Sequence, residues 1–198
     1  DGGAAAAALV AAQAQPKRAG LAPLRSKAEA RPGVHALARA MALTATHVSV
    51  RLDKKNAVRG CIHLTELAEP GQDAKLPTSL PQGPMHVVVL GAGDCAKAPL
   101  QLTIRPSALA AEGSAPPPPR LVAADLALGQ LVPGWVSEAK ATALRVCLSA
   151  ACTGTVAALE ASVDAAVLAD LPSHFARGDA VQARVLSLTP LSFSLRPE

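Results

Sequence analysis

The sequence predicts an all-β protein made of two small five-stranded antiparallel barrels that are joined by a proline-rich linker. Three observations predict this fold class. The 198-residue chain contains two copies of one unit, and a run of prolines at residues 116–119 separates them. Each copy holds about five short segments in which apolar and polar residues alternate, as they do in half-buried strands. Closure of so few strands into a barrel removes the exposed sheet edges.

The internal repeat sets the domain boundaries. GVHALARAMALTATHVSVRL at residues 33–52 aligns without a gap on GQLVPGWVSEAKATALRVCL at residues 129–148, and LTIRPS at the end of the first copy matches FSLRPE at the end of the second. The repeats are therefore predicted over residues 31–107 and 126–198. Residues 108–125 are predicted to be a stiff linker, because consecutive prolines favour an extended chain, and residues 1–30 a flexible Ala-rich lead segment.

The elements of the first repeat are justified in chain order by their alternation. Each predicted strand begins after a glycine or a polar break, and the connection over residues 66–79 is long enough for a helical turn. The first strand follows Gly33, the second has Val48, Val50 and Leu52 facing inward, and the third has Ile62 and Leu64 facing inward. The connection comes next, and the fourth and fifth strands are VVVL and LTIRP.

Composition excludes several functional classes. The formal net charge of +4 is modest and comes from the first half of the chain, which permits a nucleic-acid partner without requiring one. The cysteines form no C-x-x-C pair and have no histidine at zinc-ligand spacing, so a reduced, intracellular protein without a metal or cofactor is expected. No apolar run approaches the roughly 18 residues of a membrane span, and we interpret the start as an internal fragment end.

No catalytic constellation is present, so we expect a protein that is not an enzyme. GAGDCA at residues 91–96 matches a dinucleotide-binding pattern, but such a fingerprint must open a helix. The following segment KAPLQLTIRP alternates and contains proline, which indicates a hairpin turn. No Ser, His, Asp or Cys residues form a nucleophile motif.

Outward-facing residues of the second and third strands form the candidate ligand face, because these strands carry the ligand in oligonucleotide-binding barrels. His63 is placed where its ring could stack on a base, with basic residues nearby for phosphates. The candidate residues of the first repeat are His63, His47, Ser49, Arg51, Lys54, Lys55 and Arg59. The residues alone also allow a plain exposed histidine beside a solubilising basic loop.

The second repeat offers a poorer ligand face. No ring faces outward from its second or third strand, the unit is net acidic, and the weak candidates for phosphate contact are Arg145, Lys140 and Arg184. Basic side chains on a solvated face are the preferred explanation for these residues. Trp135 is predicted to point outward from the first strand, either as a contact for a partner or as a cover over the barrel's end.

The ordered pattern resembles a known family. Gly60 followed by IHLTEL, then VVVL and LTIRP, is similar to the S-one-type RNA-binding repeat of the oligonucleotide-binding superfamily. The resemblance implies a single-stranded RNA ligand with His63 at the binding face. The second repeat departs at this motif, with GTVAALEA, and the first has Thr46 and Ser49 where the family places aromatic residues.

The second repeat is most similar to those of nucleolar ribosome-assembly factors, through LGQLVPGWV and the stretch that begins SHFARGDAVQARVL. This resemblance implies a role in processing precursor ribosomal RNA and in assembly of both subunits, in the nucleus and nucleolus, beside other assembly proteins and without a membrane or small-molecule substrate. Two alternatives remain open: degenerate repeats that dock proteins, or a module of the translation or RNA-degradation machinery.

Overall fold

The computed structural model describes residues 21, 23–24, 26–52, 58–74, 76, 79–91, 99–110 and 121–197. The chain divides into two compact units: Asp1–Glu69 with Lys75–Pro119, and Pro70–Ala74 with Arg120–Glu198. Each unit contains a closed five-stranded barrel, which confirms the all-β fold class and the tandem architecture of the oligonucleotide-binding type. Most of the predicted lead segment, and residues 111–120 of the predicted linker, lie outside the described residues.

The first barrel follows the predicted alternation. Its inward side chains include Val48, Val50 and Ile62, each at most 1% exposed, while the residues between them remain partly accessible. The strand order around the barrel is β1-β2-β3-β5-β4. The strands are β1 (His35–Leu43), β2 (His47–Arg51), β3 (Arg59–His63), β4 (Pro84–Gly91) and β5 (Leu100–Thr103), with helix α1 at Pro106–Ala110 and 3-10 turns at Lys27–Glu29 and Leu64–Glu66.

The second barrel repeats this arrangement in the order β10-β8-β7-β6-β9. Its core is built around the fully buried Phe193, with Leu144 and Val146 facing it from the inner side of one strand. The elements are β6 (Leu131–Lys140), β7 (Ala143–Ser149), β8 (Cys152–Ala157), β9 (Ala180–Leu188) and β10 (Leu191–Ser194), helices α2 (Ala158–Ala161), α3 (Ala165–Ala169) and α4 (Leu171–His174), and a 3-10 turn at Ala123–Asp125.

The prediction of purely antiparallel barrels was wrong at one seam in each unit. β5 pairs parallel to β3, and β10 pairs parallel to β8. A closed ring with an odd number of strands cannot alternate strand direction at every seam, so at least one neighbouring pair must be parallel. The remaining pairs are antiparallel, as predicted.

Equivalent glycines lie at both parallel seams. A Cβ atom on Gly60 would come within 2.5 Å of Leu102 Cδ1, and one on Gly154 within 2.5 Å of Phe193 Cε2 and 2.9 Å of the Leu191 carbonyl oxygen. No side chain fits at these distances without displacing its neighbours. The two glycines that the repeat alignment pairs therefore serve the same purpose, which is to let a core side chain cross the strand.

Candidate nucleic-acid interface

Three arginines lie side by side across the outer face of the first barrel. Arg39 on β1 is directly opposite Arg51 on β2, and Arg51 is in turn opposite Arg59 on β3. Arg39 and Arg59 are exposed and Arg51 is half-buried. We call these residues the arginine row. It runs perpendicular to the strands, because residues in register are neighbours in the hydrogen-bonding direction of a sheet.

Small side chains form the next row of the same face. Ala42 is opposite Ser49, and Ser49 is opposite Cys61. A bulge in β1 between Ala40 and Ala42 accommodates Met41, whose side chain is 40% exposed beside this row. The small residues leave a shallow floor, lined also by Pro99 next to β5, on which a flat ligand group can rest.

Two histidines complete the face at its far end. His47 on β2 lies opposite His63 on β3. His47 Nδ1 is 2.8 Å from Thr44 Oγ1, and His63 Nδ1 is 2.9 Å from Thr65 Oγ1. The Thr65 backbone N–H also donates to His63 Nδ1, so the neutral ring carries its proton on Nε2. Both rings are thus oriented by bonds to neighbouring residues.

A buried ion pair holds the turn that positions His63. His63 caps the 3-10 turn Leu64–Glu66, and the Glu66 side chain is 3% exposed. Arg105 Nη2 lies 3.2 Å from Glu66 Oε1, and the Arg105 guanidinium donates two further bonds to the Thr65 carbonyl. The end of β3 is therefore fixed to the segment after β5.

The face is basic because its strands contain no acid. None of β1, β2 and β3 includes an Asp or a Glu. Two carboxylates of this unit are engaged elsewhere, since Glu66 binds Arg105 and Glu69 Oε1 accepts the Ser107 N–H. Phosphate is the ligand group that such a surface attracts most strongly.

Five of the predicted residues come together on this face: His47, Ser49, Arg51, Arg59 and His63. Lys54 and Lys55 lie outside the described residues. The sequence reasoning missed Arg39. Its signal was available, because Ala36 and Ala38 are inward and alternation then places Arg39 outward, but its register beside Arg51 depends on the strand pairing.

The equivalent face of the second barrel has an acid between its two cations. Arg145 on β7 lies directly opposite Glu138 on β6, and Lys140 Nζ is 3.2 Å from Glu138 Oε1. Arg184 is on β9, which pairs with β6 and β10 and not with β7 or β8. The structure therefore brings Arg145 and Lys140 near one acid and leaves Arg184 on another side of this barrel.

Trp135 lies on the outer side of β6, as the alternation predicts, but it is buried there and is not exposed to a partner. Its side chain is 2% exposed, and its indole N–H donates to the Gln72 carbonyl. Gln72 belongs to the segment Pro70–Ala74 of the same unit. In this segment Asp73 Oδ1 also accepts a hydrogen bond from the Ala180 N–H. Alternation places Trp135 on the outer side of the strand, but a covering segment buries it there.

The cysteines of the second barrel have the character of core residues. Cys147 and Cys152 are both buried. Burial raises the pKa of the Cys152 thiol, and the nearby Cys147 and Asp125 raise it further. Among the described residues, no cluster of three or more His, Cys, Asp or Glu side chains could hold a metal ion. Within the same residues, no helix has the length and apolar character required to cross a membrane.

Solved structures that match the chain include one with nucleic acid binding domains. No protein-family model and no curated protein matches the chain. The structure is a multidomain protein with nucleic acid binding domains from Streptococcus pneumoniae TIGR4, with 15% sequence identity and a TM-score of 0.27. The match covers 85% of this chain and 53% of that one, so this chain spans about half of that protein's length.

Proposed function

We propose that this chain is a non-catalytic module that binds single-stranded RNA through the outer face of its first barrel. One observation carries the proposal: the arginine row, the small-residue floor and the two anchored histidines occupy a single face whose strands contain no carboxylate. Arginines suit phosphates, and the imidazole rings of His47 and His63 suit bases.

The expected affinity is modest. Stacking on a ring contributes about 1 to 3 kcal/mol per base, and this face has imidazoles where stronger binders carry larger aromatic rings. Electrostatic attraction then supplies much of the binding free energy and makes it sensitive to salt. Binding of this kind is tolerant of sequence, because every base has a flat face and every nucleotide a phosphate.

The biological setting we propose is ribosome biogenesis. The sequence resemblance to repeats of ribosomal-RNA-processing protein five supports a role in processing precursor ribosomal RNA and in assembly of the small and large subunits, in the nucleolus and beside other assembly proteins. A module of the translation or RNA-degradation machinery is the alternative with the same ligand chemistry. Sequences flanking residues 1 and 198 decide between them: further repeats indicate assembly, and a nuclease core indicates degradation.

A protein-docking role is the second candidate function, and it concerns the second barrel. Leu128, Leu131 and Leu186 are 66%, 60% and 45% exposed. The Gly129 N–H donates to the Val185 carbonyl, so these leucines lie near one another: just before β6, at its first residue and on β9. Exposed apolar side chains that lie together favour contact with another protein.

The proposed face is tested by placing a negative charge at its centre. Ser49→Glu puts a carboxylate between the arginine row and the histidines, and we expect it to weaken binding to a single-stranded RNA oligonucleotide by about tenfold or more, as repulsion of a contacted phosphate would. Thr155→Glu, in the equivalent row of the second barrel, is the matched control and should leave the affinity unchanged. Fluorescence anisotropy measures both, and equal losses in the two variants would contradict the assignment of this face.

A further inference from the structure

We infer that the arginine row is a phosphate track, which guides the backbone of a single strand across β1, β2 and β3. The inference rests on the proposed function. It adds the path of the RNA backbone across the face and the arginines that contact its phosphates. The first-repeat candidates that the structure describes lie on β2 and β3, whereas this track also needs Arg39 on β1. It is also separate from the histidines, since Arg51 and His47 are at opposite ends of β2.

The geometry suits successive phosphates of one strand. Neighbouring strands lie about 4.8 Å apart, so the Cα atoms of the row span about 10 Å from Arg39 to Arg59, and the long side chains can spread this distance further. The row lies about 13 Å from the histidine pair, since His47 is four positions before Arg51 along β2. A strand bound along the row therefore directs its bases over the small-residue floor towards the rings.

The barrel does not require arginine at these positions. Like charges directly opposite one another disfavour strand pairing, so pairing alone would favour neutral side chains at these positions. The second barrel has neutral residues at the equivalent positions: Trp135 opposite Cys147, and Cys147 opposite Thr153. There the Cys147 thiol and the Thr153 hydroxyl are 3.3 Å apart, within hydrogen-bonding distance for sulfur. An anionic ligand is a reason to keep three cations together.

Grooves border the row on both sides. One is lined by Leu37 and Pro84 together with Arg39 and Arg51. The other contains Arg59 and is lined by Met41, Ala42, Ser49 and Pro99. Each groove thus combines an arginine of the row with apolar wall atoms, which suits a nucleotide whose phosphate contacts the guanidinium while its sugar or base contacts the wall.

The track is tested through the salt dependence of binding. For single-stranded nucleic acid, the slope of log affinity against log salt falls by about 0.7 for each phosphate contact that is lost. Arg39→Gln, Arg51→Gln and Arg59→Gln should each reduce the slope by about that amount, and the triple variant by roughly 2. The row alone would then account for a roughly 20-fold loss of affinity between about 50 and about 200 mM salt. Anisotropy titrations of the full chain with single-stranded RNA measure these values.

Two further variants sharpen the test. Arg51→Lys keeps the charge and loses the planar fork, so it should keep the slope while lowering the affinity. Arg196→Gln removes an exposed arginine that follows β10 in the second barrel, and it should change neither slope nor affinity. Thermal melting of the glutamine variants in the row checks that each one is folded under the conditions of the titration.

The outcomes separate the track from the proposed function. Unchanged slopes in the triple variant, with RNA binding and its sensitivity to Ser49→Glu intact, would overturn the track and leave the RNA-binding face standing. Absence of RNA binding by the wild-type chain would overturn both. The triple variant could lose the same salt slope in binding to poly-glutamate, and the wild type could bind RNA no more tightly than that peptide. This result would show that the row is a site for acidic proteins and not a track for nucleic acid.

Discussion

Replacing Glu66 by Gln should destabilise the first barrel and loosen its histidine face. The change preserves side-chain volume and removes the charge that pairs with Arg105 at 3.2 Å. A hydrogen bond to a charged group contributes about 1.5 to 3 kcal/mol to the free energy of unfolding. The larger cost of leaving a buried charge without any partner does not apply in full here, for the following reason. Arg105 is 16% exposed and keeps its bonds to the Thr65 carbonyl. We therefore expect a loss of about 2 kcal/mol, or roughly 8 to 16 °C in the thermal midpoint of a unit of this size.

The internal repeat provides a matched control for this substitution. Glu160 occupies the equivalent position in the second barrel: its carbonyl accepts the Leu195 N–H at 2.8 Å, as the Glu66 carbonyl accepts the Ile104 N–H at 3.0 Å. The Glu160 side chain is only half-buried, so Glu160→Gln should cost less than about 0.5 kcal/mol. Calorimetry of the full chain follows both units. Equal effects of the two substitutions, or no effect of Glu66→Gln, would refute the importance of the buried ion pair.

Three further predictions test other features of the barrels. Gly154→Ala should destabilise the second barrel by about 1 to 3 kcal/mol in chemical denaturation, because its methyl group would overlap a phenyl ring and a backbone carbonyl. Gly91→Ala should be tolerated, because its methyl group would meet no atom of the described residues within 4 Å. Because the pKa of Cys152 is raised, the native state keeps the thiol proton at a pH at which the unfolded state has already lost it. The free energy of unfolding should therefore fall as the pH rises past the ordinary pKa of a thiol. Cys152→Ala should flatten this decline in melting curves recorded across that pH range. His63→Ala should lower RNA affinity by about 1 to 3 kcal/mol in anisotropy titrations if its ring stacks on a base, and an unchanged affinity would exclude such stacking.

The sequence predicted the barrels well because alternation reports directly which side of a strand is buried. Val48, Val50 and Ile62 were placed inward from spacing alone, and all are at most 1% exposed. The repeat alignment also paired Gly60 with Gly154, and both permit a close crossing in the core. Features that depend on local period and composition were therefore accessible without a structure.

Features that depend on register were not accessible in this way. The arginine row exists because β1 pairs with β2 at Arg39 and Arg51, and the bulge between Ala40 and Ala42 changes the register beyond that point. Similarly, nothing in the sequence indicates that His35 Nδ1 lies 2.8 Å from His86 Nε2. Pairings between distant residues are set by the packing of the whole barrel, which single-sequence patterns do not encode.

The burial of Trp135 shows a second limit and provides a final prediction. Alternation correctly gives its side of the strand, but the cover comes from the segment Pro70–Ala74, far away in sequence. Since Trp135 is the only tryptophan in the chain, its fluorescence reports on this cover. Asp73→Ala removes the acceptor of the Ala180 N–H and should shift the Trp135 emission to longer wavelength and increase its quenching by acrylamide.

The control for this prediction is another aspartate of the same unit. Asp164 caps α3 by accepting the Ala166 N–H at 2.9 Å, the same distance that separates Asp73 Oδ1 from the Ala180 nitrogen. Loss of such a cap costs about 0.5 to 2 kcal/mol, so Asp164→Ala should lower stability to a similar degree. It should leave the Trp135 emission unchanged, because it removes no contact of the covering segment. If both variants shift the emission equally, the fluorescence follows general loosening of the barrel; if Asp73→Ala shifts nothing, the Asp73 bond does not hold the segment in place.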